Sequence, residues 1–259
     1  MDNIRSKETC DGIGNNRPDL GPTCGRPLGI GFHLRTKQLF VADAYQGFVV
    51  IAPNQTVATK IAGGADGVPF KLPTGLDVDQ STGNVYFTDA SSQYSLSQIQ
   101  EAIDAGDATG KLLKYDNNTK QVTVLLSGLS GAGGTSVSRD GSFVLVSEFI
   151  ANRIKKFWLK GPKAFTSNIL ISFQGRPINI KRTSSGEFWV AVNLQKPNAS
   201  SGAITNVPTG IKINRNGKIL RTVDLSQFYG TTNISEFHQR NGKFYVGTLR
   251  TDFLGRLSI

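Results

Sequence analysis

The sequence predicts an all-β propeller, a single domain over residues 1–259 with about five blades. Three observations predict it. β-rich runs recur after polar turns: "KQLFVADAY" at Phe40, "GNVYFTDAS" at Tyr86, "GSFVLVSEF" at Val144, "GEFWVAVNL" at Trp189 and "GKFYVGTLR" at Tyr245. A second short strand precedes each run, as in "LGIGFHL", "TGLDVDQ", "GTSVSRD", "INIKRTS" and "ISEFHQR", and turn signals such as "STGN", "RDGS", "SSGE" and "RNGK" join the two. Helical periodicity is almost absent, and strand pairs repeating at a spacing of roughly 45–60 residues are the mark of blades around an axis.

Taken in order, the first strand pair lies near Phe40 and the second near Tyr86. In "SLSQIQEAIDAGDA" (Ser95 to Ala108), Leu96, Ile99 and Ile103 fall at helical spacing and predict a short inserted helix. Outer hairpins follow in "TGKLLKYDNNTKQVTVLL" and, later, in "TGIKINRNGKILRTVDL". A propeller that stops short of closure exposes strand edges. A count of five units with a late start therefore predicts that the chain as written lacks its first blade.

Composition narrows the function. The net charge is +10, and "RIKKFWLKGPK" (Arg153 to Lys163) is its densest basic stretch. On a strand Arg153, Lys155 and Phe157 share one face, so no purely basic stripe forms and no nucleic-acid partner is expected. No run approaches the roughly 18 apolar residues of a membrane span, and no membrane partner is expected. Cys10 and Cys24 have no histidine near them to complete a zinc site. A disulfide closing a short loop, or two free buried thiols, are the readings left open. Asn-x-Ser/Thr sequons begin at Asn54, Asn117, Asn198 and Asn233. With the cysteines they point to the secretory pathway, although the opening "MDNIRSKETCDG" lacks the apolar core of a signal peptide.

Several segments carry a family resemblance: "CGRPLGIGF", "LFVADAY", "DGVPFK", "TGKLLKYD", "GSFVLVSEF", "FWLKGPK" and "NIKR". In order and spacing the chain resembles the strictosidine synthase and strictosidine synthase-like family of plants, from about Cys10 to the C-terminus. The resemblance implies a six-bladed propeller, N-terminally truncated here, and a vacuolar or other luminal location. It implies pairing of Cys10 with Cys24. It further implies a scaffold related to alkaloid-biosynthesis enzymes that condense tryptamine with secologanin, a carbon–nitrogen bond-forming chemistry in which a glutamate acts as general base.

In that family the glutamate lies seven residues before the turn glycine of the last hairpin. Here the turn glycine is Gly242, so the position holds Ser235 and Glu236 comes one place later. Strand alternation places Ser235 on the side of Phe237 and turns Glu236 the other way, with no Gly or Pro to suggest a bulge. Glu236 is thus a candidate substitute base, and His238 a neighbour three residues from Ser235. The expected function is action on another small molecule held in the channel, without a cofactor. The alternatives are a calcium-dependent ester or lactone hydrolase and a non-catalytic luminal binding or defence protein. For calcium, Asn179 is the best axial amide, with Thr74 and Gly133 in its place on other blades and Asp89 and Glu148 on neighbouring strands.

Overall fold

Apolar–polar alternation at period two builds the strands, and Gly-containing polar turns reverse the chain between them. The computed structural model describes residues 10, 18–198, 202–251 and 253–258. Blade 1 comprises β1 (Pro27–His33), β2 (Gln38–Asp43), β3 (Gly47–Ile51) and β4 (Thr59–Ala62), followed by a small hairpin, β5 (Gly64–Ala65) and β6 (Val68–Pro69). Blade 2 comprises β7 (Pro73–Val78), β8 (Val85–Asp89), β9 (Gly110–Tyr115) and β10 (Val122–Leu129). Blade 3 comprises β11 (Ala132–Val137), β12 (Phe143–Glu148), β13 (Arg153–Trp158) and β14 (Ser167–Ser172). Blade 4 comprises β15 (Gly175–Arg182), β16 (Phe188–Pro197), β17 (Ile204–Ile213) and β18 (Ile219–Asp224). Blade 5 has three strands, β19 (Glu236–Arg240), β20 (Lys243–Gly247) and β21 (Gly255–Leu257). Each blade is an antiparallel sheet whose strands follow one another in sequence.

The first strands β1, β7, β11, β15 and β19 pack side by side in that order and surround the axis. Between blades lie the apolar cores. Phe40, Phe48, Leu76, Val78 and Phe87 join blades 1 and 2, with the Phe48 and Phe87 rings stacked at 4.4 Å. Phe143, Leu145, Ile180 and Val190 join blades 3 and 4. Trp189, Phe237 and Phe244 join blades 4 and 5, the Trp189 ring edge-on to both phenylalanines. Such aromatic contacts add about 0.5–1.5 kcal/mol each beyond their buried area. The inserted helix is shorter than its periodicity suggests. A 3-10 turn at Leu96–Gln98, boxed by Ser95 and Gln98, leads into a helix at Ile99–Asp104. The following Gly106 takes a positive φ and ends it.

A bulge recurs near the start of the inner strands. Thr74 and Gly75 together oppose Thr88, Gly133 and Gly134 oppose Ser147, and Ile178 and Asn179 oppose Ala191. Leu28 and Gly29 oppose Ala42 in the same way. In blade 5 the Ser235 N–H donates to Gly247 O at 2.8 Å while Glu236 pairs with the same Gly247. Ile234 and Phe237, three apart, both bury themselves against blade 4. Strict alternation therefore fails at Ser235–Glu236, which corrects the reading that put Ser235 on the side of Phe237.

The bulge column reads Gly29, Gly75, Gly134, Asn179, Glu236. A Cβ on Gly75 would sit 2.5 Å from Gly134 Cα, and one on Gly134 would sit 2.6 Å from Asn179 Cα. Side chains are thus barred where the next inner strand presses close. Hydroxyls from the second strands cross between blades here. Thr88 Oγ1 donates to Gly133 O, and Ser147 Oγ to Ile178 O. Ala191 replaces them in blade 4, where Asn193 instead holds Ile234, donating from Nδ2 to its carbonyl at 3.0 Å and accepting its N–H at 2.9 Å.

Among the described residues, the two ends of the array are uncovered. Ile30 pairs with Val41 as Leu76 pairs with Phe87. Leu76 and Val78 are 3% and 2% exposed, whereas Ile30 and Phe32 are 56% and 53% exposed. On blade 5, Leu249, Phe253 and Leu254 are exposed as well. Cys10 and Cys24 form a disulfide.

Candidate functional site

One residue beyond the apolar position of each inner strand is a second column: Gly31, Asp77, Ser136, Lys181, His238. From blade 2 onward each of these follows a residue that packs on the preceding blade, so alternation turns it toward the following one. Asp77 reaches blade 3, where its Oδ2 accepts the Val137 N–H at 2.9 Å and the Ser136 hydroxyl at 3.3 Å. Its Oδ1 accepts the Val78 N–H at 2.9 Å. Lys181 reaches blade 5, where its Nζ lies 3.5 Å from Glu236 Oε2. The neighbouring Arg182 donates from Nε to Val137 O at 2.9 Å.

The site is an axial cluster of two carboxylates around one ammonium. Side-chain exposure is 31% for Lys181 and 26% for Glu236, so both retain an opening toward solvent. Glu236 Oε1, by contrast, is buried with no hydrogen-bond partner among the described residues. Burial pushes the Glu236 carboxyl above its usual range and outweighs the pull of Lys181, with Asp77 adding to the rise. Burial likewise raises Asp77, opposed chiefly by Lys181. Glu236 holds the Lys181 ammonium above its ordinary value. Burial, then the cations Lys181 and Arg240, push the His238 imidazole below its ordinary value. Chemically the cluster can hold a polar ligand against one fixed positive charge and one carboxyl oxygen that lacks a donor.

Of the sequence-derived candidates, Glu236 enters this cluster, while His238 feels the Lys181 charge without touching it. Ser235 belongs to the bulge through its backbone bond to Gly247. Asn179 occupies the bulge of blade 4 with Oδ1 turned back toward Gly134. It aligns with Gly75 and Gly134, not with Thr74 and Gly133 as the sequence reading had it. Asp89 and Glu148 do not face a metal: Asp89 Oδ1 accepts the Leu72 N–H at 2.7 Å, and Glu148 Oε1 accepts the Ser130 N–H at 2.8 Å. Glu148 is also paired with Arg153 at 2.6 Å. Their counterpart Asp43 ties the loop of Tyr45 and Gln46. These acids anchor loops, and among the described residues no group of three or more His, Cys, Asp or Glu could hold a metal ion. The donor set does not fit calcium.

Asp77, Ser136 and Lys181 were missed by sequence reasoning, although setting the inner strands one under another, bulge included, puts them in one column with His238. Of the aromatic residues in loops or at strand ends, where a pocket mouth could be lined (Phe70, Tyr94, Phe149, Phe173 and Tyr229), all but Tyr94 pack in or against the apolar clusters. Asn54 lies in a turn with a positive φ, and Asn54, Asn198 and Asn233 are exposed while Asn117 is half-buried. Ser200, the third residue of the Asn198 sequon, lies outside the described residues.

The fold is shared with proteins of unrelated sequence. A chain of a nidogen–laminin complex superposes with a TM-score of 0.59 at 12% identity, covering 85% of this chain and 71% of that one. A gluconolactonase from Xanthomonas campestris gives 0.59 at 14% identity, covering 81% and 65%. Sequence similarity is far more specific. The family model for strictosidine synthase matches residues 74–162. Strictosidine synthase-like 12 of Arabidopsis thaliana is 48% identical over 252 residues, 96% of this chain and 73% of that protein. The strictosidine synthase of Catharanthus roseus is 38% identical over 242 residues, 93% of this chain and 68% of that enzyme. With relatives this similar over nearly its whole length, the chain belongs to the strictosidine synthase-like family of plant proteins.

Proposed function

We propose that this protein handles a small molecule in its axial channel and does not carry out the condensation for which its family is named. The Glu236–Lys181 pair carries this reading. A general base for the condensation must accept a proton from a cationic intermediate. Ser235, at the position the family resemblance assigns to the glutamate, cannot serve as such a base. Glu236 is already committed to a cation, and Lys181 beside it would repel an iminium. The same cation favours a ligand with a carboxylate or an electron-rich oxygen. Binding without turnover suits this arrangement as well as catalysis does, because the Lys181–Glu236 pair can hold a polar ligand without any nucleophile.

The setting extends this reading. Ile30 and Phe32 occupy positions that are inter-blade core in blade 2, which supports a sixth blade completing the ring over this face. The Cys10–Cys24 disulfide supports an oxidising lumen, vacuolar or secretory, with the four sequons as glycosylation sites. Incubation of the folded protein with tryptamine and secologanin tests the function directly. Mass spectrometry is expected to show no strictosidine above the enzyme-free control. A strictosidine peak that Glu236→Gln abolishes would overturn the reading. A calcium-dependent hydrolase predicts a melting temperature that falls with chelator; an unchanged melt is expected.

A further inference from the structure

Outside the axial cluster, the hairpin between β13 and β14 carries an unusual residue. Phe165 has φ +63° and is 74% exposed. The other described non-glycine residues with positive φ are Lys37, Asn54, Asp66, Lys120, Asn152 and Asn241, all polar. A bulky aromatic in the left-handed region is a true outlier. Its backbone is held there by bonds on either side, Phe165 N–H to Trp158 O at 2.8 Å and Trp158 N–H to Thr166 O at 2.9 Å. Neither the burial nor the conformational preference of phenylalanine accounts for it. Any Asn or Gly would suit the turn better.

Phe165 borders a cleft of about 330 Å³ between blades 2 and 3. Blade 2 lines it with Asp79, Thr82, Asn84, Lys114, Thr123 and Leu125, and blade 3 with Leu159, Lys160 and Phe165. The charges cancel. Lys114 is paired with Asp116 at 2.7 Å, leaving Lys160 to balance Asp79. The cleft therefore presents an aromatic plate, hydroxyls and amides, and no net charge. Its volume is at the small end for ligand sites.

We propose that this cleft binds a neutral pyranose ring, its C–H face against Phe165 and its hydroxyls toward Asp79, Asn84 and Thr123. Apolar contact on one side and planar polar groups on the other match a sugar and match neither a free anion nor a cation. The ring could come from a free glycoside or from a protein-linked N-glycan core. Asn117, the first residue of a sequon, donates its backbone N–H to Asn84 Oδ1 at 2.9 Å, so a candidate glycosylation position lies beside the cleft.

The test uses the full chain made without glycosylation, with methyl β-D-glucopyranoside and chitobiose as probes in an NMR titration. Saturable shifts at residues of the cleft are expected, with tighter binding of the glucoside assigning a free ligand and tighter binding of chitobiose assigning a glycan core. Phe165→Asn should weaken binding roughly tenfold. The same change relieves the left-handed strain and should hold or raise Tm, by about 1–3 °C. A stability loss with unchanged affinity would make Phe165 structural and overturn the proposal. Failure of both sugars to give a saturable shift would overturn it equally. Neither outcome bears on the axial channel.

Discussion

At the level of single residues, Lys181 is the pivot of the axial site, with one carboxylate ahead of it and one behind. Lys181→Met leaves Glu236 and Asp77 without their cation. Breaking a buried pair costs about 3–5 kcal/mol, and the partial opening to solvent reduces this to about 1–2 kcal/mol. Urea unfolding should show that loss. The double variant with Glu236→Gln should recover most of it, giving a coupling energy that an unimportant pair would lack. Asp89 behaves differently. It is fully buried, and burial lifts its carboxyl to about 6 against the pull of the Leu72 and Lys71 N–H groups. The folded form thus holds a proton that the unfolded chain, with an ordinary aspartate, releases near pH 4. Between about pH 4 and 6 the folded state binds more protons, so this group's contribution favours folding at low pH and is lost as pH rises through 6. The size is on the order of 2 kcal/mol. Melting curves at pH 5 and 7 should differ less in Asp89→Asn than in the wild type. The lowered carboxyls of Asp140 and Asp79, held down by their serine hydrogen bonds against burial, work in the opposite sense and lose their stabilisation only at lower pH.

Elements were legible in the sequence to different depths. The five inner strands and their hairpins could be read from alternation and turn chemistry, and they stand where "TGLDVDQ", "INIKRTS" and "ISEFHQR" placed them. The bulges could not, because alternation is a rule about regular strands and a bulge inserts one residue without changing composition. Glycine marks the bulge in blades 1 to 3, but Ile178–Asn179 and Ser235–Glu236 carry no such mark. Strict alternation was therefore carried through Ser235–Glu236, where it fails, and Lys181 was never linked to Glu236. A partner 55 residues away lies beyond any local pattern. The bulge column also makes a prediction at this scale. Gly134→Ala would press a methyl against Asn179 Cα, and backbone cannot yield as a flexible side chain does. A loss of at least about 2 kcal/mol is expected, or roughly 5 °C in Tm. A calorimetric melt within 1 °C of wild type would mean the inner strands can separate.

For the molecule as a whole, the exposed ends of the array dominate solution behaviour. Ile30 and Phe32 present apolar side chains at positions built for burial, and such surfaces bind hydrophobic dyes and promote association. Replacing both with lysine should reduce anilinonaphthalene sulfonate fluorescence of this chain while changing stability by less than about 1 kcal/mol. Equal fluorescence would mean the face is covered. The contiguity of the blades has a different consequence. Every sheet is made from one uninterrupted stretch, so each blade gains structure from its neighbours and little from remote sequence. A chain emerging from the ribosome can therefore lay down blades 1 to 4 while blade 5 is still being synthesised. During that interval Lys181 stands without Glu236, and the channel is an incomplete vessel with a bare ammonium on its wall. On the proposed function, ligand recognition would thus be the last property this protein acquires as it is made, and the first it would surrender if blade 5 came loose.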